Sequence, residues 1–202
     1  MNTLTRSPIE NIFTKISEKI SPSVYNLSIT NTPPQPNNIT TIGLISNLFS
    51  IIALREGQIL VCIVFAIIGQ YLDNLDGFYA KKYNMETKIG QYYDHLADNI
   101  KILGLIFVFY ILYEHKIQSY HISIFICLAI IGNINFALRI RLKHFENESY
   151  DIMLEPWNIL GKIFGSKENV IKLSKFTRYF DDTSLFVYYL FAIIYFHYLI
   201  DL

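Results

Sequence analysis

The chain has 202 residues, enough for one domain, and 52% of them are hydrophobic whereas only 17% are charged. This composition favours a membrane protein over a soluble one. The formal net charge is zero, so there is no electrostatic reason to expect a nucleic-acid partner. The two cysteines lie in separate apolar runs, a pattern that does not indicate a disulfide framework.

The first 35 residues are predicted to form a short amphipathic helix followed by a polar linker. Ser7, Pro8 and Glu10 are typical of a helix start, with a serine N-cap, proline at the first helical position and a glutamate that closes a capping box. Apolar residues then share one face, and we expect Pro22 to end the helix. The pattern fits a helix on the membrane surface and equally one packed on the protein itself.

Residues 36–202 are predicted to form a membrane-embedded, all-helical bundle. Five segments are apolar enough to span a bilayer, or nearly so: Ile39–Leu54, Ile59–Lys82, Gly90–Tyr113, Ile122–Leu138 and Ser184–Ile200. The apolar part of the second is too short to cross about 30 Å of hydrocarbon, so its helix must continue through the polar residues after Leu72. Residues 145–182 contain no long apolar run. A broken or interfacial segment there and a reduced core both remain open, which gives five or six spans.

Basic residues predict how the bundle is oriented. They cluster at two loops, with Lys81, Lys82 and Lys88 before the third segment and Arg139, Arg141 and Lys143 after the fourth. Because cytoplasmic loops are enriched in lysine and arginine, both ends are expected to face the cytoplasm.

Four aspartates interrupt the apolar runs where ionised groups are least expected. Asp73 and Asp76 are three residues apart and Asp94 and Asp98 are four apart, so each pair shares one face of a helix. Inside a bilayer the four would together cost on the order of 10 kcal/mol. Two divalent cations would neutralise them, and all-oxygen ligands favour Mg²⁺ or Mn²⁺ over zinc. The pattern therefore predicts a paired-metal site of the kind that binds a diphosphate.

In a competing interpretation the aspartates form only structural ion pairs. Their cationic partners would be Lys81, Lys82 and Lys101. Three cations are too few for four carboxylates, which favours the metal site. Lys101 lies one turn beyond Asp98 on the same helix face, and we expect it to pair with an aspartate or to contact a phosphate.

The run from Asp73 to Asp98 resembles the signature D-x2-D-G-x2-A-R-x8-G-x3-D-x3-D of the CDP-alcohol phosphotransferase family, also called CDP-alcohol phosphatidyltransferases. The matching positions are Asp73, Asp76, Gly77, Ala80, Gly90, Asp94 and Asp98, and Lys81 stands where the family has arginine. Residues 36–40, PNNIT, are similar to the P-N-x-x-T motif at the start of the family's first membrane helix. The resemblance covers roughly residues 36–144.

This resemblance implies transfer of a phosphoalcohol or phosphatidyl group from a CDP-linked donor to a hydroxyl, with release of CMP, in phospholipid synthesis. It implies two metal ions held by Asp73, Asp76, Asp94 and Asp98, the last of which ligates the second ion or accepts the hydroxyl proton. Residues near the nucleotide or its phosphates would be Asn37, Thr40, Gly77, Ala80, Lys81 and Gly90. Candidate contacts for an acceptor or a lipid headgroup are Arg139 and Arg141. The family also implies a homodimer, and the orientation places the site on the cytoplasmic side.

Two features refine this expectation. Asn74-Leu75 and Asp94-His95 are similar to the choline and ethanolamine phosphotransferase branch, which would make CDP-choline or CDP-ethanolamine the donor and diacylglycerol the acceptor. CDP-diacylglycerol with a polar alcohol is the other pairing within the family. Lysine at position 81 offers a phosphate a point charge in place of a planar fork, so we expect activity with weaker donor affinity.

Two other classes of function remain open at this point. Intramembrane prenyltransferases also use paired aspartate motifs with Mg²⁺, although their motifs lie far apart, whereas Asp76 and Asp94 are 18 residues apart here. A divalent-cation carrier or an inactive partner subunit is the non-catalytic alternative. Replacement of Asp98 by asparagine separates them, because it should abolish transfer by an enzyme and leave a partner subunit working.

Overall fold

The computed structural model describes residues 7–27, 33–146 and 155–199. Within these ranges the chain forms helices and turns with no β-strand, which confirms the predicted all-helical class. The α-helices are α1 (Pro8–Tyr25), α2 (Pro36–Arg55), α3 (Ile59–Lys82), α4 (Lys88–Tyr113), α5 (Ser119–Phe145), α6 (Glu155–Gly161), α7 (Lys167–Thr177) and α8 (Asp182–Ile194). Short 3₁₀ turns occupy Glu114–Lys116, Lys162–Phe164 and Arg178–Phe180, and a π-helical turn occupies Tyr195–Leu199.

Four helices are long and apolar enough to cross a membrane: α2, α3, α4 with its following 3₁₀ turn, and α5. They match the first four predicted segments, and α3 continues through its aspartates to Lys82 as expected. The predicted fifth segment is represented by the 13-residue helix α8 and the π-helical turn after it. Helices α6 and α7 have 7 and 11 residues, too short to span. A total of five or six spans stays a prediction.

Helix α1 begins as predicted and ends later than predicted. The backbone N–H of Glu10 donates to Ser7 Oγ at 3.0 Å, so Ser7 is the N-cap. The prediction that Pro22 ends the helix was wrong, because α1 continues to Tyr25. In the extra turn the Tyr25 ring stacks on Tyr83 with centroids 4.1 Å apart. Just before Pro22, Ser21 Oγ accepts a hydrogen bond from Lys82 Nζ at 2.9 Å. The position of α1 on a membrane surface stays a prediction.

The chain divides into two compact units. One contains α2, α3 and α4 within Ile12–Lys116, together with Leu190–Leu202. In this unit α3 and α4 each pack far more on α2 than on each other. Serine hydroxyls of α2 donate to backbone carbonyls of α3, Ser46 to Phe65 at 2.8 Å and Ser50 to Cys62 at 2.9 Å. These bonds and a buried apolar cluster of Ile39, Leu75 and Tyr79 hold α2 against α3.

The other unit contains α5, α6 and α7 within Ile117–Tyr189, together with Met1–Asn11. Helix α5 packs against α6 and α7 around a buried cluster of Leu138, Leu142 and Val170. Asn135, fully buried in α5, donates to Thr177 Oγ1 of α7 at 3.0 Å, so this polar group is satisfied. The predicted domain boundary between residues 35 and 36 stays a prediction.

Candidate active site

Helices α3 and α4 bring three of the four aspartates together. One carboxylate oxygen each from Asp73, Asp94 and Asp98 can be chosen so that all three lie within 4.8 Å of one another. The short loop of residues 83–87 joins the two helices, and both of them pack on α2. Thr87 caps α4 by accepting from the Gly90 N–H at 3.0 Å, and the cap sets where the second pair of aspartates begins.

The fourth aspartate, Asp76, lies outside this triad and faces α2. Its side chain is buried, and Thr40 Oγ1 donates a hydrogen bond to its Oδ2. Thr40 also lies 3.3 Å from the Pro36 carbonyl oxygen, so the start of α2 holds Asp76 in position. Thr40 is predicted to lie near the nucleotide, and the structure adds this contact with a carboxylate of the signature.

Lys101 is the cation built into the site, and its predicted pairing with an aspartate is confirmed. Its Nζ lies 2.5 Å from Asp98 Oδ1 and 3.9 Å from Asp73 Oδ2. It also donates to Gln70 Oε1 at 3.2 Å, while Gln70 Nε2 donates to Asp73 Oδ2 at 3.1 Å. Gln70 was missed by sequence reasoning, although its position one turn before Asp73 on the same face could have indicated it.

The two other candidate lysines are used differently. Lys82 donates to Ser21 and lies over the Phe78 and Tyr83 rings, and the side chain of Lys81 is exposed. Lys101 is therefore the lysine that the structure places against the aspartates, and one ammonium cannot balance four carboxylates. The ion-pair interpretation accounts for only part of the negative charge.

The carboxylates fit a hard divalent cation. Asp94 Oδ1 is buried and has no hydrogen-bond partner in the described part of the chain, which is costly unless something else binds it. The donor set of Asp73, Asp94 and Asp98 is all oxygen, the ligand type that Mg²⁺ and Mn²⁺ prefer. These three residues could hold a metal ion, with Asp76 beside them on α3.

A small cavity opens beside the triad, where α2, α3 and α4 meet. Its lining consists of Thr40, Gly43, Leu44, Asn47, Gly69, Asp73, Ala97 and Asp98. Glycines bring α2 and α3 close: a Cβ at Gly43 would lie 3.2 Å from Leu72 Cβ, and one at Gly69 would overlap the Asn47 amide. Asn47 was missed by sequence reasoning. Its place two helical turns after Thr40, on the same face of α2, could have indicated it.

The other residues of the signature surround this centre. A Cβ at Gly77 would have nothing within 4 Å, so this glycine leaves open space next to Asp76. A Cβ at Gly90 would lie 3.0 Å from Asn37 Oδ1, so Gly90 allows the starts of α2 and α4 to approach closely. Ala80 is half-buried on α3. The phosphate and nucleotide roles of Gly77, Ala80, Lys81, Gly90 and Asn37 stay predictions.

Arg139 and Arg141, the candidate acceptor contacts, lie on α5 in the other unit and have protein partners there. Arg139 donates to Glu10 Oε1 at 2.8 Å. Burial raises the pKa of Glu10, and the Arg139 charge opposes that shift. Arg141 donates to Asn158 Oδ1 at 3.1 Å, and its guanidinium lies 4.3 Å from the Phe145 ring centroid. Their roles toward an acceptor or a headgroup stay predictions.

Comparison with known proteins agrees with this geometry. The sequence model of the family described as CDP-alcohol phosphatidyltransferase matches residues 34–158, more than half of the chain. Cholinephosphotransferase 1 of Xenopus laevis is 33% identical over an alignment of 79 positions, which covers 34% of this chain and 20% of that protein. The similarity therefore spans about a fifth of that relative's length. No solved structure matches. With its four candidate membrane spans and its cluster of carboxylates on α3 and α4, the chain belongs to the CDP-alcohol phosphatidyltransferase family.

Proposed function

We propose that the chain transfers a phosphoalcohol group from a CDP-linked donor to an acceptor hydroxyl and releases CMP. One observation supports the proposal most directly: carboxylate oxygens of Asp73, Asp94 and Asp98 lie within 4.8 Å of one another. The two helices that carry them are long and apolar enough to span a membrane. Carboxylates gathered in this way bind a divalent cation, and a cation bound there attracts a diphosphate. Family membership supports the same reaction class.

One metal ion would be held by Asp73, Asp94 and Asp98. Asp76 is the fourth carboxylate and would contribute to binding a second ion. When bound, the metal neutralises the diphosphate and stabilises the charge that develops on the leaving phosphate. Thr40 fixes the Asp76 side chain through its hydrogen bond, and Gln70 fixes that of Asp73. Neighbouring side chains therefore orient the carboxylates of Asp76 and Asp73 before a metal ion or a substrate binds.

The transfer balances as a single displacement at phosphorus. The acceptor oxygen forms a bond to the β-phosphorus of the donor, and the bond from that phosphorus to the bridging oxygen breaks, so that its electron pair leaves with CMP. Asp98 would ligate the second ion or accept the hydroxyl proton, since it is a partly exposed carboxylate that lines the cavity. Lys101 Nζ lies 2.5 Å from Asp98 Oδ1 and balances part of its charge while no metal is bound.

The favoured donor is CDP-choline or CDP-ethanolamine, with diacylglycerol as the acceptor. Similarity to a protein named cholinephosphotransferase supports this choice over CDP-diacylglycerol with a polar alcohol. The lysines between α3 and α4 support a site that opens to the cytoplasm, where a soluble nucleotide is available. The homodimer rests on family resemblance alone and stays a prediction.

The test uses membranes that contain the full chain. They are incubated with Mg²⁺ or Mn²⁺ and, separately, with labelled CDP-choline, CDP-ethanolamine and CDP-diacylglycerol, and both CMP and the lipid product are measured. We expect CMP release from one donor, loss of release in Asp98→Asn, and full activity in the control Glu86→Gln, which alters an exposed loop residue. A further incubation contains a prenyl diphosphate. If no CDP-linked donor releases CMP and the prenyl diphosphate releases pyrophosphate, the prenyltransferase alternative replaces the proposal. Failure with all of these substrates would leave a non-catalytic role.

A further inference from the structure

Helix α1 exposes its isoleucines and buries its serines. Ile12, Ile16 and Ile20 recur at every fourth residue and are 54%, 38% and 40% exposed. Ser17 and Ser21, which are also four residues apart, are fully buried. A helix whose outer face met water would bury the isoleucines and expose the serines. The reversed arrangement indicates that the isoleucine face contacts an apolar medium.

The serine face of α1 packs against the half of α3 that carries the aspartates. The rings of Phe13 and Tyr71 meet edge to face, with centroids 6.1 Å apart. Two turns further along α1, Ser21 Oγ accepts the hydrogen bond from Lys82 Nζ at the end of α3. These contacts fix which side of α1 is turned toward the protein and which side points away from it.

The exposed apolar surface of α3 begins next to this contact. Ile67 and Ile68 lie one helical turn before Tyr71, on the same face of α3, and both are exposed. Because α3 is long and apolar enough to span a membrane, exposed isoleucines on it meet acyl chains. The lipid around this face of α3 therefore continues onto the isoleucine face of α1.

Lysines flank the isoleucine face on the side away from the serines. Lys15 and Lys19 each precede an isoleucine by one residue, which places them about 100° around the helix from it. Both side chains are exposed. Ammonium groups beside an apolar stripe suit the boundary between acyl chains and anionic headgroups. This pattern of charge favours an anionic lipid surface over a second protein as the partner of this face.

We propose that α1 docks on the membrane leaflet beside the half of α3 that carries the aspartates. The side chains of Ile12, Ile16 and Ile20 lie among the acyl chains, and Lys15 and Lys19 contact anionic headgroups. The inference goes beyond the proposed function and does not depend on it, because a chain without transfer activity would dock in the same way.

Electron paramagnetic resonance of nitroxide labels tests the orientation of α1. Labels are attached to Ile16→Cys and, as the matched control, to Glu18→Cys, an exposed residue about 200° further around the same helix. Ile20→Cys provides a second position on the isoleucine face. All are full chains that carry Cys127→Ser, because Cys127 is exposed whereas Cys62 is buried.

The proteins are reconstituted in vesicles of phosphatidylcholine alone and of phosphatidylcholine with phosphatidylglycerol. Collisions of each label with O₂, which concentrates in lipid, and with a water-soluble nickel chelate are then measured. We expect the ratio of O₂ to nickel collisions at positions 16 and 20 to be several times the ratio at position 18. Phosphatidylglycerol should raise the ratio at position 16, and the combined change Lys15→Gln and Lys19→Gln should remove that increase.

Three results would count against the proposal. Free access of the nickel chelate to positions 16 and 18 alike would overturn it, since α1 would then lie in water. Exclusion of both reagents from position 16 would also overturn it, because protein would then cover the isoleucines. Equal ratios at position 16 in the two kinds of vesicle would contradict the contact of the lysines with anionic headgroups.

Discussion

Replacement of Lys101 by methionine removes the cation that holds the metal-free site together. Its side chain is 6% exposed and lies 2.5 Å from Asp98 and 3.9 Å from Asp73. Methionine fills a similar volume without charge, so Asp98, Asp73 and Gln70 each lose a partner. Breaking a buried ion pair costs ~3–5 kcal/mol, and because the Asp98 side chain is 36% exposed we expect a loss near the low end, about 3 kcal/mol.

Thermal unfolding in detergent micelles, with and without Mn²⁺, measures this effect. In a chelating buffer Lys101→Met should melt well below the wild type, whereas saturating Mn²⁺ should recover most of the difference, because the metal replaces the lost cation. Mn²⁺ should also bind the variant more tightly than the wild type, since Asp98 no longer shares its charge with an ammonium. Lys88→Met, at the exposed start of the same helix, is the control and should change neither property.

If Lys101→Met is as stable as the wild type without metal, the ion pair contributes nothing to stability and its expected role is wrong. Weaker binding of Mn²⁺ by the variant would also contradict this role, because Lys101 would then support the metal site and not compete for its ligands.

Three further predictions follow from single contacts. Thr40→Val removes the hydrogen bond to Asp76 and should lower kcat at least tenfold in the CMP-release assay, with the fold preserved by circular dichroism. Gly69→Val drives a side chain into the Asn47 amide and should cost about 1–3 kcal/mol of stability in thermal unfolding. Burial raises the pKa of Glu10 above its ordinary value of 4.5, so its protonated form favours folding. Measured as melting temperature against pH, wild-type stability should therefore fall relative to Glu10→Gln as the pH rises from that value through the raised pKa.

The parts of the site that depend on helical periodicity were predictable from the sequence. Aspartates spaced by three and four residues must share a helix face, and a short loop between two helices brings those faces together. The structure confirms the helices and brings Asp73, Asp94 and Asp98 to one point. The pairing of Lys101 with an aspartate was predictable for the same reason, since it lies three residues after Asp98.

The parts that depend on contacts between distant segments were not predictable. Asp76 turns toward Thr40, 36 residues earlier, and no spacing within α3 indicates that. Gln70 and Asn47 are ordinary polar residues in apolar helices until their neighbours across the helix interfaces are known. Pro22 is a helix breaker in isolation, yet α1 continues past it because Tyr25 packs on Tyr83.

We propose that the aspartates of α3 and α4 form a divalent-metal site. A Mn²⁺ titration of the purified chain, followed by electron paramagnetic resonance of the free ion, tests it most directly when wild type and Asp94→Asn are compared. We expect saturable binding to the wild type and at least tenfold weaker binding to Asp94→Asn, because the buried carboxylate of Asp94 would lose the charge that attracts the ion. Equal affinity in the two proteins, or no saturable binding to the wild type, would contradict it.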